Sequence, residues 1–346
     1  MSNLPSGEIP RGAIRFNTDS NKPELWDGSQ WAEFQLSTPN LGRGVDTEPG
    51  ARGVVVGGYT PSFSDAIDYI NISSTGDSVD FGDTAARASY LRAGNSSNTR
   101  GVYGGGYGGP TSSTVLEYLT FSSTGSVATF GDFDMGAKYG QGAVSNQTRG
   151  IQAGYYSAGS NIDYYTLASL GSVQSFGNLS DGRAYPAGIN SPTRGIFCGG
   201  FYGDVRQQSI NTVDFVTIAT TGDAQDFGDL TEHKMLQDVG VCNSTRGIIA
   251  GGLQYPANTR VGGMEFIQMS STGNFQNFGE LIDITYAGVA MSSSTRGVFA
   301  GTVASPVNLN NIEYITISTQ GNSIDFGDLQ NNRAGGAGMS NAHGGL

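Results

Sequence analysis

Apolar residues recur along most of this chain in short runs, separated by clusters of Gly, Ser, Thr and Asn. Short apolar runs that end at turn-forming residues predict β-strands rather than helices. Runs such as GVVVGG at 53–58 are apolar without alternation, which indicates strands buried on both faces. The 54 glycines, 17 phenylalanines and 16 tyrosines fit the same interpretation. The pattern therefore predicts an all-β protein.

Two phrases recur in step, at a period of roughly fifty residues. The first is an arginine phrase of the type Thr-Arg-Gly, whose copies begin near 52, 100, 149, 194, 246 and 296. The second is Phe-Gly followed by an acidic residue or Asn, at 81–83, 130–132, 176–178, 227–229, 278–280 and 326–328. Each repeat has room for four short strands: A before the arginine, B on its phrase, C with an apolar-acidic-aromatic pattern, and D ending at Phe-Gly. Four strands at this period predict a propeller blade.

The strand count also predicts how the ring closes. Six B-C-D sets are present, but five A strands lie between them, and the segment NRAGGAGMSN at 332–341 has the spacing of the missing one. We therefore expect the last strand to join the first blade, which leaves no open sheet edge between first and last blades. A seventh blade over 35–50 is rejected, because that segment is too short for four strands.

The repeats resemble the kelch family in three features: the double glycine that ends strand B, the acidic-aromatic strand that follows it, and an aromatic residue near the end of strand D. The double glycines are at 57–58, 105–106, 199–200 and 251–252, and Phe stands where kelch repeats usually carry Trp. The resemblance covers residues 46–346 and implies a six-bladed kelch-like β-propeller.

The first 45 residues lie outside the repeats and contain both tryptophans. Residues 12–34 predict a three-stranded β-meander, which is too small to be stable unaided. Its apolar side chains must pack on the propeller, on copies of itself or on a different protein. The candidate attachment residues are Ile14, Phe16, Trp26, Trp31 and Phe34.

The run from Gly12 to Asp19, together with Trp26-Asp27-Gly28 and Trp31, resembles a short module of bacteriophage tail-fibre and other virion proteins. The repeats behind it resemble structural proteins of marine phages, cyanophages included. The resemblance implies a virion structural protein, assembled in the host cytoplasm, that docks on other virion proteins through residues 1–45 and presents its propeller to the host surface. The alternatives are a glycan-binding, lectin-like adhesin and a capsid or neck decoration protein. Self-association through the N-terminal segment is a further alternative.

The net charge of the chain disfavours some classes of binding partner. The net charge of −12 disfavours nucleic acid and anionic lipid. The sequence start has no basic region followed by an apolar run, and no apolar stretch of membrane-spanning length occurs, so we expect neither a secretory signal nor membrane insertion.

Repeated polar residues on strands B and C predict structural pairs at blade contacts. The arginines are Arg52, Arg100, Arg149, Arg194, Arg246 and Arg296, and the carboxylates are Asp68, Glu117, Asp163, Asp214, Glu265 and Glu313. The alternative is a ring of carboxylates that binds a cation, but no dense cluster of oxygen ligands is present in the sequence.

Catalytic chemistry has little support. His233 and His343 have no nucleophile arrangement beside them in sequence, so we expect neither catalysis nor a cofactor or metal site. Cys198 and Cys242 occupy positions where sister repeats carry small residues, which predicts packing roles. The loops between strands B and C carry aromatic residues on one predicted face, suited to a glycan or a protein. The alternative is that they fill gaps between blades. The candidate binding residues are Tyr59, Tyr107, Tyr155, Tyr156, Phe201, Tyr202 and Tyr255.

Overall fold

The computed structural model divides the chain into two compact units, Met1–Pro49 and Gly50–Leu346. It describes residues 9–17, 22–33, 52–85, 89–108, 113–125, 127–133, 136, 138–157, 159–203, 206–237, 239–283, 286–303 and 308–346. These residues form strands, turns and bends, and they contain no helix. Within the same ranges, no helical segment has the length and apolarity needed to cross a membrane.

The first unit is the predicted three-stranded meander. Its strands are β1 (Ile14–Asn17), β2 (Lys22–Trp26) and β3 (Trp31–Glu33), paired antiparallel in the order β1-β2-β3. The β2-β3 turn is held by Asp27, whose carboxylate accepts the backbone N–H groups of Ser29 and Gln30 at 2.7 and 2.8 Å. Those hydrogen bonds lower the pKa of Asp27.

The second unit contains the strands of six blades, in chain order. Blades 1 and 2 contain β4 (Arg52–Tyr59), β5 (Phe63–Asn71), β6 (Val79–Asp83), β7 (Ala93–Ser96), β8 (Arg100–Gly104), β9 (Val115–Thr120) and β10 (Val127–Asp132). Blades 3 and 4 contain β11 (Gly142–Ser145), β12 (Arg149–Tyr155), β13 (Gly159–Thr166), β14 (Gln174–Asn178), β15 (Ala187–Asn190), β16 (Arg194–Tyr202), β17 (Gln208–Thr217) and β18 (Gln225–Asp229).

Blade 5 carries a small extra hairpin in its B-C loop. Its strands are β19 (Gly240–Cys242), β20 (Arg246–Ala250), the hairpin β21 (Leu253–Gln254) and β22 (Thr259–Arg260), then β23 (Gly263–Gln268) and β24 (Gln276–Glu280). Blade 6 contains β25 (Val289–Ser292), β26 (Arg296–Val303), β27 (Asn308–Thr316) and β28 (Ile324–Asp328), and the last strand is β29 (Ala337–Ser340).

The six-bladed β-propeller is confirmed, and so is its closure. β29 pairs antiparallel with β4 and gives blade 1 the order β29-β4-β5-β6, while the other blades each have four antiparallel strands of their own. The A strands of neighbouring blades pack against one another around the axis.

The apolar core lies between blades. Each blade contact has its own cluster, and the one between blades 1 and 2 joins Val54, Val56 and Phe81 to Leu119 and Phe121. A fully buried aliphatic or aromatic side chain contributes about 1.5–3 kcal/mol relative to exposure. The strands lack polar alternation because both faces of a blade are covered in this way.

The repeated arginines connect neighbouring blades without a carboxylate. Each guanidinium lies 4.4 to 5.0 Å from the centre of an aromatic ring on strand C of its own blade, and it donates to a backbone carbonyl at the end of strand C in the next blade, at 2.5 to 3.2 Å. The pairing expected between these arginines and the strand C carboxylates is therefore wrong. The interaction partners of the arginines, in chain order, are the carbonyls of Phe121, Leu167, Ile218, Met269, Ile317 and Ile72.

The Phe-Gly phrase forms a second contact between blades. Its Phe carbonyl accepts the N–H of the turn glycine in the C-D hairpin of the next blade, at 2.6 to 3.1 Å in all six junctions. Its own glycine lies directly against that turn. A Cβ on Gly279, for example, would stand 2.2 Å from the carbonyl oxygen of Gly321. The phrase is constant because a side chain does not fit there.

One end of the axis is closed by residues 341–346. The His343 ring lies within hydrogen-bond distance of the Ser96 carbonyl (2.9 Å), the Ser145 hydroxyl (3.3 Å) and the Asn190 amide (3.0 Å), which come from the A strands of blades 2, 3 and 4. Desolvation lowers the pKa of His343 to about 4. The free thiol of Cys242 belongs to the same ring of A-strand residues, while that of Cys198 is buried between blades 4 and 5.

We expect Gly279→Ala to destabilise the propeller by about 2 kcal/mol, because its methyl group would overlap the next blade. Gly263→Ala is the matched control in the same blade, since its Cβ would meet only the Glu280 side chain at 3.9 Å. Urea unfolding followed by circular dichroism measures both variants. Equal losses in the two variants would contradict the proposed steric origin.

We expect the free energy of unfolding of the wild type to fall, relative to His343→Asn, as the pH drops from 6.5 to about 4. The unfolded chain binds a proton at the ordinary histidine pKa, whereas the folded ring does so at about 4, so acid favours unfolding across that window. Urea titrations at several pH values measure the difference, with His233→Asn as a control for loss of an exposed histidine. A constant difference between wild type and His343→Asn would refute the assignment.

Candidate functional site

The six strand C carboxylates are buried, with 0 to 4% of each residue exposed, and five have a basic partner. That partner lies just before strand A of the same blade, outside either repeated phrase. The pairs are Asp68–Arg333 (2.7 Å), Glu117–Arg92 (3.6 Å), Asp163–Lys138, Asp214–Arg183 (2.9 Å) and Glu265–Lys234 (2.5 Å). Five carboxylates are thus paired one by one within their blades, in contrast to the alternative of a shared cation ring.

The double glycine makes room for these buried cations. A Cβ on Gly200 would stand 3.1 Å from Cδ of Arg183, and one on Gly106 would stand 2.8 Å from Cγ of Arg92. The N–H of Gly200 also donates to the carbonyl of Lys234, the basic residue of the next blade, at 2.9 Å. One motif therefore admits the cation of its own blade and holds the backbone of the next.

Blade 6 satisfies its carboxylate differently. Glu313 accepts the N–H groups of Ile282 and Asp283, the Asn311 amide and the Ser323 hydroxyl, at 2.6 to 3.3 Å. Within the ranges that the structure describes, no lysine or arginine forms an ion pair with it. The cavity beside it, of about 20 Å³, is the size of one water molecule.

The opposite end of the axis carries a surface of aromatic residues. Beyond the double glycine, strand B pairs again with the segment that leads into strand A: Tyr59 with Ala334, Tyr90 with Tyr107, and Ala184 with Phe201. In blade 3 the N–H of Tyr156 donates to the carbonyl of Tyr139 at 3.0 Å. This short extension places two residues of each blade around the axis.

Seven aromatic residues at this end of the axis are joined by ring contacts into one continuous cluster, here called the tyrosine arc. They are Tyr59, Phe63, Tyr90, Tyr107, Tyr139, Tyr156 and Tyr185. Ring centres of successive members are 5.0 to 6.3 Å apart, and Tyr139 stacks on Tyr156 at 5.0 Å and 17°. Tyr59, Tyr107 and Tyr156 are the most exposed members, at 40, 36 and 41%.

The less exposed tyrosines of the arc stay uncharged at physiological pH. Burial, with a smaller contribution from Tyr156, raises the pKa of Tyr139 to about 12. Burial also raises the pKa values of Tyr90 and Tyr185, with contributions from neighbouring tyrosines. These three phenol groups are therefore neutral hydrogen-bonding groups on aromatic rings.

A ring of left-handed residues closes the axis beneath the arc. Leu91, Tyr185, Gln237 and Ala287 have φ between 55 and 62°, although such values usually favour glycine. Their backbone groups bond from blade to blade: the N–H of Gln237, for example, donates to the carbonyl of Tyr185 at 3.1 Å. The backbone that closes the axis of the propeller thus also fixes the position of the Tyr185 side chain.

The candidate binding residues divide into two groups. Tyr59, Tyr107 and Tyr156 belong to the arc. The others have separate contacts: Tyr155 lies by the Lys138 ammonium, Phe201 is buried edge-on to Tyr255 at 5.3 Å, and Tyr202 donates to the Asp181 carboxylate at 2.8 Å beneath Arg206. Tyr255 remains exposed, off the arc.

Sequence reasoning missed Phe63, Tyr90, Tyr139 and Tyr185. The three tyrosines stand just before strand A, and only an alignment of the residues before that strand could have shown an aromatic position there.

The attachment residues lie on the N-terminal sheet. Ile14 and Phe16 share one face and are 67 and 58% exposed. On the other face, Arg15 pairs with Glu24 at 2.7 Å and lies 4.2 Å from the centre of the Trp31 ring, beside Trp26. Phe34 lies outside the described residues.

Comparison with protein-family models and with curated protein sequences finds no match to this chain. Within the described part of the chain, no group of three or more His, Cys, Asp or Glu side chains is arranged to hold a metal ion. His233 is exposed on a loop, and His343 lies in the axis at the end opposite the arc. What the arrangement offers chemically is a neutral surface of aromatic rings and hydroxyl groups.

We expect Arg183→Met to lower the free energy of unfolding by about 3–5 kcal/mol, because it leaves the Asp214 carboxylate buried without its cation. Arg206→Met removes an exposed pair with Asp181 and should cost less than about 1 kcal/mol. Urea unfolding of both variants measures the contrast. Similar losses in the two would show that Arg183 is not the counter-ion on which the blade depends.

Proposed function

We propose that this chain is a bacteriophage virion structural protein, a tail- or fibre-associated appendage that docks through residues 1–45 and presents its propeller towards the host surface. The observation that carries the proposal is the exposed apolar pair Ile14 and Phe16 on a sheet of only three strands. So small a sheet gains stability by burying such a face against a partner. The resemblance of 12–31 to virion attachment modules supports another virion protein as that partner.

The contacts between the blades of the propeller support the same role. Its repeated arginines, glycines and phenylalanines are engaged in contacts between blades, so they serve the rigidity of the ring. Contact with the host is left to the residues that the repeat does not fix, above all the tyrosine arc. A lectin-like adhesin is the second candidate function, favoured by the exposed rings of Tyr59, Tyr107 and Tyr156.

We expect the protein to be located on purified phage particles by cryo-electron microscopy, and Ile14→Ser with Phe16→Ser to abolish its incorporation. The control is Val79→Ser with Ile324→Ser, since these propeller residues are 49 and 56% exposed and lie outside the N-terminal unit. Native mass spectrometry of each variant distinguishes lost docking from lost self-association. Absence of the protein from particles, or normal incorporation of the Ile14/Phe16 variant, would refute the proposal. A position on the capsid or neck would identify a decoration protein instead.

A further inference from the structure

The composition of the tyrosine arc differs from blade to blade. Blades 2 and 3 carry aromatic residues on both strands of the extension, Tyr107 with Tyr90 and Tyr156 with Tyr139. Blades 4 and 6 have one aromatic residue each at this place, Phe201 opposite Ala184 and Tyr286 opposite Val303, and blade 5 has Met235 opposite Leu253. Residues that were needed only to close the propeller would recur in every blade. The difference between blades therefore indicates recognition of an external ligand.

Geometry and charge define what that ligand is. Tyr59, Tyr107 and Tyr156 present exposed rings, and the arc runs through ring contacts of 5.5 to 6.0 Å from Tyr59 to Tyr139. Along this path the exposed rings alternate with the half-buried rings of Tyr90 and Tyr139, and the C–H faces of sugars in an extended glycan stack on exposed aromatic rings of this kind. The phenol groups of the arc supply neutral donors and acceptors for sugar hydroxyls.

Acidic or phosphorylated ligands fit this surface poorly. No member of the arc is basic, and the Arg92 guanidinium, two residues after Tyr90, is buried beside the Glu117 carboxylate. The chain as a whole carries a net charge of −12. An anionic chain would therefore meet repulsion without a compensating cation.

We propose that the tyrosine arc binds a neutral glycan chain laid across blades 1 to 3, with Tyr107 and Tyr156 as its principal stacking residues. The rings already contact one another, and the Tyr185 backbone is fixed by the axial ring, so little side-chain entropy is lost on binding. This inference rests on the proposed function and specifies the ligand class of the surface that faces the host.

The test uses the full chain on an array of neutral and anionic glycans, followed by calorimetry with cellohexaose, maltohexaose, chitohexaose and an oligogalacturonate. We expect binding to a neutral member and about a tenfold loss of affinity in Tyr107→Ala and in Tyr156→Ala. Tyr255→Ala is the matched control, because Tyr255 is as exposed as Tyr107 but lies off the arc. Tyr107→Phe and Tyr156→Phe keep the rings and should lose less, which excludes misfolding as the cause.

A blank array, binding of anionic glycans alone, or equal losses in Tyr107→Ala and Tyr255→Ala would overturn the inference, as would a host protein shown to cover the arc. Particle localisation is measured separately. A virion protein that binds no glycan would refute this inference alone, and a glycan-binding protein absent from particles would refute the proposed function alone.

Discussion

The burial of both faces of every blade is the constraint on which this propeller depends. A single strand shows it: Val54 and Val56 on β4 enter the core between blades 1 and 2, while Val55 enters the core between blades 6 and 1. The same division separates Phe197 from its neighbours Ile196 and Cys198 on β16. Since each sheet needs a neighbour on each side, the ring has to close, and pairing of β29 with β4 closes it.

Polar groups then decide how the blades fit together. An apolar interface alone allows two blades to slide against each other. The relative position of the blades is fixed by the arginine, which donates to one particular carbonyl, and by the Phe-Gly glycine, which contacts one particular turn. The buried ion pairs serve the same end at an energetic cost. Burial raises the pKa of Asp68 despite the nearby Arg333, whose own pKa burial lowers. Such a pair therefore adds little net stability and instead specifies the path of the segment before strand A.

The sequence was sufficient to predict the fold, but it was insufficient to predict which side chains pair with the repeated polar residues. Period, strand order and closure were predictable because they depend on local patterns that recur six times. The counter-ions were not, because their position varies: Arg92 directly precedes its strand A, whereas Lys138 and Arg183 stand further from theirs, and the residue type also alternates between Lys and Arg. Part of the tyrosine arc was predictable for a related reason. Tyr107 follows a recognisable double glycine, whereas Tyr90 and Tyr139 lie in segments before strand A, and the closed ring brings those segments beside the B-C loops.

Comparison among blades separates what the fold requires from what it does not. The arginine contact, the Phe-Gly contact and the inter-blade core occur at all six junctions, as a closed ring of equivalent sheets demands. At the positions of the arc, however, blades 4 to 6 pair Ala184 with Phe201, Met235 with Leu253, and Tyr286 with Val303, and blade 1 has Ala334 opposite Tyr59. Gap filling of the kind first considered for the loop aromatics is thus achieved by small or aliphatic side chains as well. The exposed tyrosines of blades 1 to 3 exceed what closure of the ring requires, which is why recognition is assigned to them and not to the repeated phrases.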